Sequence, residues 1–152
     1  RMAHYTKPTD REFIDRLEAA KPTTDEELNK AWFGRYNPHP EHYENHRYRG
    51  LNLNNVWRTG TVELRIFNGV KHAGVAKANI LLALALAAKA LNAKCASTKK
   101  PREYSEPSAK YDFRVLLLHL GMNGAEFKNT RMHLLKNLPG NAAWKNGRPE
   151  GR

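Results

Sequence analysis

The chain has 152 residues, of which 40% are apolar and 27% charged, and its formal net charge is +11. That length suits one domain with a real core, and the composition is an ordinary soluble one. A single cysteine, Cys95, excludes an internal disulfide and a thiolate metal cluster, which fits a reducing, cytoplasmic setting. The charge is uneven. Residues 1–93 carry 14 Lys and Arg against 10 Asp and Glu, and residues 94–152 carry 12 against 5. A field of that sign favours anionic partners without choosing among nucleotides, nucleic acid, acidic substrates and a membrane surface. The polar N-terminus shows no signal peptide. The chain opens on Arg1 and not on Met, so the expectation is a piece of a longer protein, a processed product or an edited chain.

In chain order, two helices come first. Thr9-Asp10-Arg11-Glu12 and Thr24-Asp25-Glu26-Glu27 both match a capping box. Phe13, Ile14 and Leu17 give the first helix an apolar stripe, and Leu28, Ala31 and Trp32 the second. Helices over residues 10–21 and 25–33 follow, separated at Pro22. A turn-rich stretch, Gly34 to Pro40, leads on. Two runs then read as strands, about 47–54 and 61–67, joined through Asn54-Asn55 and Thr59-Gly60 as a hairpin-like antiparallel pair. Two strands alone do not make a stable sheet, so further strands are expected from the loops or from residues missing from this chain.

Gly74 to Lys94 is the most apolar segment, but Lys77, Asn79 and Lys89 interrupt it. A membrane span needs about 20 largely apolar residues, so this segment reads as a buried core helix, about 73–94, and no membrane partner is expected. Leu82, Leu84 and Leu86 supply its core candidates. Residues 96–107 form a polar loop with two prolines. Ser108 is placed as the cap of a helix running to about Leu120, and residues 124–138 form a last helix. The fold class is α+β, an antiparallel strand pair packed against several helices. Residues 1–140 read as one domain and residues 141–152 as a flexible basic tail.

The second strand carries the chemistry. Side chains on a strand alternate between faces. Glu63 and Arg65 therefore share one face, about 7 Å apart along the strand, and Val62, Leu64 and Ile66 share the other, which reads as the core face. On the first strand Leu51 and Leu53 alternate with Asn52 and Asn54, while Arg47 and Arg49 precede the strand proper or lie beyond a break at Gly50. The bland readings are a solvated face for Glu63 and Arg65, surface charge for the two upstream arginines, and turn or edge capping for the asparagines. His42, His46 and His72 lack the His-x₃-His spacing or a Cys partner that a metal site would show, and no Gly-rich phosphate loop is present.

"RYRGLNLNN" followed by "GTVELRIFNG" resembles the amidoligase family, a branch of the carboxylate–amine ligases related to glutamine synthetase. The likeness extends more loosely over residues 1–92. It implies a glutamine synthetase-like sheet, ATP and Mg²⁺ as cofactors, and an amide bond formed between a carboxylate and an amine through an acyl phosphate. It implies Glu63 as catalytic residue and metal ligand, Arg65 as catalytic, and Arg47, Arg49, Asn52 and Asn54 as substrate- or phosphate-binding. These types suit the chemistry, since Mg²⁺ prefers hard oxygen ligands and a transferring phosphoryl group needs arginines to neutralise it. Members are expected to carry an early strand with a Glu-x-Glu-like pair and a His-bearing strand in the middle, and neither is present here. The expectation is therefore the C-terminal part of such a ligase, inactive alone, whose partners are a nucleotide, a carboxylate and amine substrate, and a missing N-terminal part of the same protein. The alternative is a basic nucleic-acid-binding or accessory module without catalysis. It rests on the charge and on Tyr104, Tyr111, Phe113 and Trp144 in the basic region, but no recognised nucleic-acid motif is present.

Overall fold

The computed structural model describes residues 6–95 and 103–147. The chain divides into two compact units, residues 1–68 and residues 69–152.

In the first unit, α1 (Arg11–Ala20) and α2 (Asp25–Phe33) form the predicted helical pair. At α2 the predicted capping box is complete: Thr24 accepts from the Glu27 amide at 3.3 Å, and Glu27 accepts from the Thr24 amide at 3.2 Å. At α1 the cap is Asp10 and not Thr9, with Asp10 Oδ1 accepting from the Phe13 amide at 2.7 Å. Phe13, Ala31, Trp32 and Phe33 form the core, and Ile14, Leu17, Leu53 and Trp57 pack against it. Phe13 meets Trp32 edge to face at 4.8 Å between ring centroids. Arg16 Nε donates to the Ala31 carbonyl at 2.6 Å, tying α1 to α2.

The strand region is shorter than predicted. Arg47 lies in a 3₁₀ turn, Asn45–Tyr48, before β1 (Leu51–Asn52); the link is a helical turn, α3 (Val56–Thr59), and β2 is Glu63–Leu64. Gly60 closes α3 in the left-handed conformation, φ 72°, which is what the Thr59-Gly60 turn chemistry requires. The strands pair antiparallel, Leu51 opposite Leu64 and Asn52 opposite Glu63. Lys7 adds a third extended piece beside Arg49: its amide donates to the Tyr48 carbonyl at 2.7 Å, and its carbonyl accepts from Gly50 at 2.9 Å. On its other side Gly50 accepts from the Arg65 amide at 2.7 Å. A loop segment thus supplies the extra pairing that two strands alone lack.

The face assignment of the sheet is corrected. Val62 is 59% and Ile66 47% exposed. Leu51, Leu64 and Ile66 line an open groove of about 540 Å³. The two asparagines are buried instead: Asn52 and Asn54 are each 1% exposed. The reason lies in α2. Trp32 enters the core with an indole N–H that needs a buried acceptor, and Asn54, in the turn after β1, provides it; its amide donates to Asn52, and alternation from Asn52 turns Leu51 and Leu64 toward the groove.

In the second unit, α4 (Ala73–Asn92), α5 (Glu106–His119) and α6 (Lys128–Leu135) are present, and α6 packs on both of the others. The buried-core reading of α4 is corrected. Only Ala78 and Leu82 are buried; Leu84 is 60% exposed, and Leu86 is half-buried. Apolar residues run all round this helix, and burial reaches only one stripe of it. By length and composition it is apolar enough to cross a membrane. The cap of α5 is Ser105, because Pro107 falls in the first turn, where its missing N–H costs nothing. Ser108 lies inside the helix and donates to Asp112 at 2.6 Å. The predicted last helix is a 3₁₀ turn, Ala125–Phe127, followed by α6. Of the expected tail, residues 141–147 are described: Asn141 Oδ1 accepts from the amides of Ala143 and Trp144 at 2.7 and 3.2 Å. Residues 96–102 and 148–152 of the predicted loop and tail lie outside the described residues.

Candidate functional site

Register places Asn52 directly across from Glu63, and alternation places Arg65 beside it. Asn52 Nδ2 donates to Glu63 Oε2 at 2.7 Å, and Arg65 Nη1 donates to Glu63 Oε1 at 3.0 Å. Each carboxylate oxygen therefore keeps acceptor capacity beyond one fixed donor. The Glu63 side chain is about two-fifths exposed, so this capacity faces out of the protein. Asn52 is itself fixed, since its Oδ1 accepts from the Asn54 amide at 2.9 Å. Asn54 Oδ1 accepts from Trp32 Nε1 at 2.8 Å. The chain of contacts from Trp32 through Asn54 and Asn52 to Glu63 anchors the exposed carboxylate in the core.

Arg47 and Arg65 share a neighbour, Tyr48, with guanidinium carbons 5.7 and 5.8 Å from the ring centroid. Arg47 also donates from Nη1 to the His42 carbonyl at 2.7 Å. Arg49 is placed differently from its expected substrate-facing role. It is buried, stacks on Trp32 at 4.6 Å, and ion-pairs with Asp10, the cap of α1. Burial, the largest influence on it, pulls its guanidinium pKa down, and Asp10 opposes this.

Sequence reading weighed His42 only as a metal ligand and missed Arg58. Arg58 Nη1 lies 2.9 Å from His42 Nδ1. Because arginine only donates, Nδ1 is the acceptor, and the neutral ring carries its proton on Nε2. Local desolvation by its neighbours first, then the charges of Arg47 and Arg58, hold the pKa of the exposed His42 below its ordinary value, while Glu63 acts in the opposite direction. His42 thus stands in the field of both Glu63 and the two arginines. The available signal was the interleaving of aromatic and basic residues in "HYENHRYR". It was passed over because no metal-ligand spacing accompanied it.

Four buried polar atoms have no hydrogen-bond partner among the described residues: His46 Nδ1, Arg49 Nη1, Asn54 Nδ2 and Trp57 Nε1. His46 Nδ1 does lie 3.5 Å from a Glu44 oxygen, an electrostatic contact without hydrogen-bond geometry. All four residues lie around Trp32 and Phe33.

Among the described residues there is no group of three or more His, Cys, Asp or Glu able to hold a metal ion. Glu63 alone offers a carboxylate on the strand pair. That donor set fits a single-carboxylate share of a Mg²⁺–nucleotide, in which phosphates and waters supply the other oxygens. It does not make a cage for two or three metals.

A family model described as "Putative amidoligase enzyme" matches residues 1–87, a stretch that holds α1 to α3, both strands and most of α4. No curated protein and no solved structure matches the chain. With more than half of its length under that model, and with the Glu63–Arg65 strand inside the match, the chain belongs to the amidoligase family of amide-forming ligases.

Proposed function

We propose that this chain is part of an ATP- and Mg²⁺-dependent amidoligase that joins a carboxylate to an amine through an acyl phosphate, on a sheet of the glutamine synthetase kind. The observation that carries the reading is the Glu63 carboxylate, fixed between Asn52 at 2.7 Å and Arg65 at 3.0 Å and partly open to solvent. In the reaction a substrate carboxylate oxygen attacks the terminal phosphorus and ADP leaves. An amine nitrogen then attacks the acyl carbon, phosphate leaves, and the nitrogen loses a proton. Mg²⁺, when bound, neutralises charge on the phosphates. Glu63 holds it from the protein side. Arg65 faces the developing negative charge as a forked donor, and Arg47 contributes to binding the nucleotide. Asn52 keeps Glu63 in one rotamer, and Asn54 keeps Asn52. Arg49 acts as a positioning residue: through Asp10 it fixes α1 against the strand that carries the site. Glu63 and the arginines suffice for Mg–nucleotide binding, whereas turnover needs carboxylates beyond Glu63, so the chain alone binds but turns over little or not at all.

The test is Mg²⁺-dependent ATP binding by equilibrium dialysis, on the chain and on Glu63→Gln, with thermal melting as control. Glu63→Gln removes the charge and keeps the shape, so Mg²⁺-dependent binding is expected to fall at least tenfold with little change in melting. Equal binding by both proteins overturns the role of Glu63. Arg65→Lys is expected to lose most turnover in the complete enzyme, because an ammonium does not replace a guanidinium fork.

A further inference from the structure

Tyr43 is 76% exposed, yet two neighbours hold its ring. His42 meets it edge to face at 4.6 Å and 88°, and the Arg47 guanidinium lies 5.2 Å from its centroid. Arg47 is itself fixed, by its bond to the His42 carbonyl and by the Tyr48 ring. His42 is fixed by Arg58. Solitary exposed aromatics are common and need no explanation. A flat, exposed ring braced by a guanidinium that shares the Tyr48 ring with Arg65, the partner of Glu63, is a different object. Aromatic faces and arginine planes are what proteins use to stack bases without reading sequence.

We infer that Tyr43 and Arg47 form the platform on which the base of a nucleoside triphosphate stacks, with its phosphates running past His42 and Arg58 toward Glu63 and Arg65. This rests on the ATP and Mg²⁺ reading above and adds to it the place and orientation of the nucleoside. His42, with its proton on Nε2, is a hydrogen-bond donor there. Arg58 keeps most of its N–H groups for phosphate oxygens.

The experiment compares binding of Mg–ATP and of Mg–tripolyphosphate, which has the phosphates and no base, to the chain and to Tyr43→Ala and Tyr43→Phe. A stacked base is worth roughly 1–3 kcal/mol by alanine substitution, about 5- to 150-fold in affinity. The wild-type chain is expected to bind ATP tighter than tripolyphosphate by about that factor. Tyr43→Ala is expected to bring ATP down to the tripolyphosphate level, leave tripolyphosphate binding unchanged, and keep the melting temperature; Tyr43→Phe keeps the preference for ATP. If tripolyphosphate and ATP bind equally to the wild type, or if Tyr43→Ala binds ATP as the wild type does, the platform is refuted while the metal–phosphate reading stands. If neither ligand binds the wild type, the ATP reading fails and the platform falls with it.

Discussion

The indole N–H of Trp32 donates to Oδ1 of Asn54 at 2.8 Å, and neither residue is more than 1% exposed. This bond joins the helical pair to the turn after β1, beside the Arg49–Asp10 pair and the Arg49–Trp32 stack, and holds the asparagines of that segment inside. Asn54→Ala leaves the Trp32 donor buried and unpaired, and a cost of about 1–3 kcal/mol is expected. Urea unfolding measures it. In a double-mutant cycle with Trp32→Phe, a coupling of about 1 kcal/mol or more is expected; coupling near zero means that the bond does not hold the two layers together.

Asp10 serves two partners at once. One oxygen caps α1 and the other pairs with buried Arg49. Thr24, by comparison, caps α2 only, within a capping box. Thr24→Ala is expected to cost about 1 kcal/mol. Asp10→Ala is expected to exceed it by about 1–3 kcal/mol, because it also leaves a desolvated guanidinium unpaired. Replacing Arg49 by Met in the Asp10→Ala background is expected to recover part of that excess. Equal costs for the two caps contradict this account.

His46 gives the first unit a pH dependence. Its ring packs on Phe33 at 5.2 Å and Trp32 at 6.4 Å. Burial first, then the Arg49 charge, hold its pKa below the ordinary value, while Glu44 and Asp10 oppose this. His42 is lowered in the same direction. The unfolded chain therefore takes up protons first as pH falls. Stability is complete above about pH 6.5, the ordinary histidine value, and is lost as pH falls toward the lower folded values. The urea midpoint is expected to drop between about pH 7.5 and pH 5, and His46→Phe is expected to flatten that drop. A wild-type midpoint that stays level over this range counts against it.

On α4, Leu82 is buried and Leu84 is 60% exposed, although both were core candidates by sequence. Leu82→Ala is expected to cost about 2–5 kcal/mol. Leu84→Ala is expected to fall within about 0.5 kcal/mol of the wild type. Comparable losses from both would mean that the exposed stripe of this helix is covered in solution.

Local signals determined much of this protein. Capping chemistry at Thr24 and apolar spacing placed α1 and α2 within a residue or so, because a helix end and its stripe are set by contacts three and four residues apart. The Glu-x-Arg alternation put Glu63 and Arg65 on one face, and the motif around them carried the family. What alternation does not say is which face is inside, since inverting the sheet preserves the pattern. Tertiary structure decided that through Trp32, which demanded a buried acceptor and drew Asn54, and with it Asn52, inward. Arg49 turned from the site to the core because Asp10, 39 residues away in sequence, offered a partner. His42 and Arg58, 16 residues apart, meet only in the folded chain. Leu82 and Leu84 read alike in an all-apolar helix; only the packing of neighbouring elements separates a buried leucine from an exposed one.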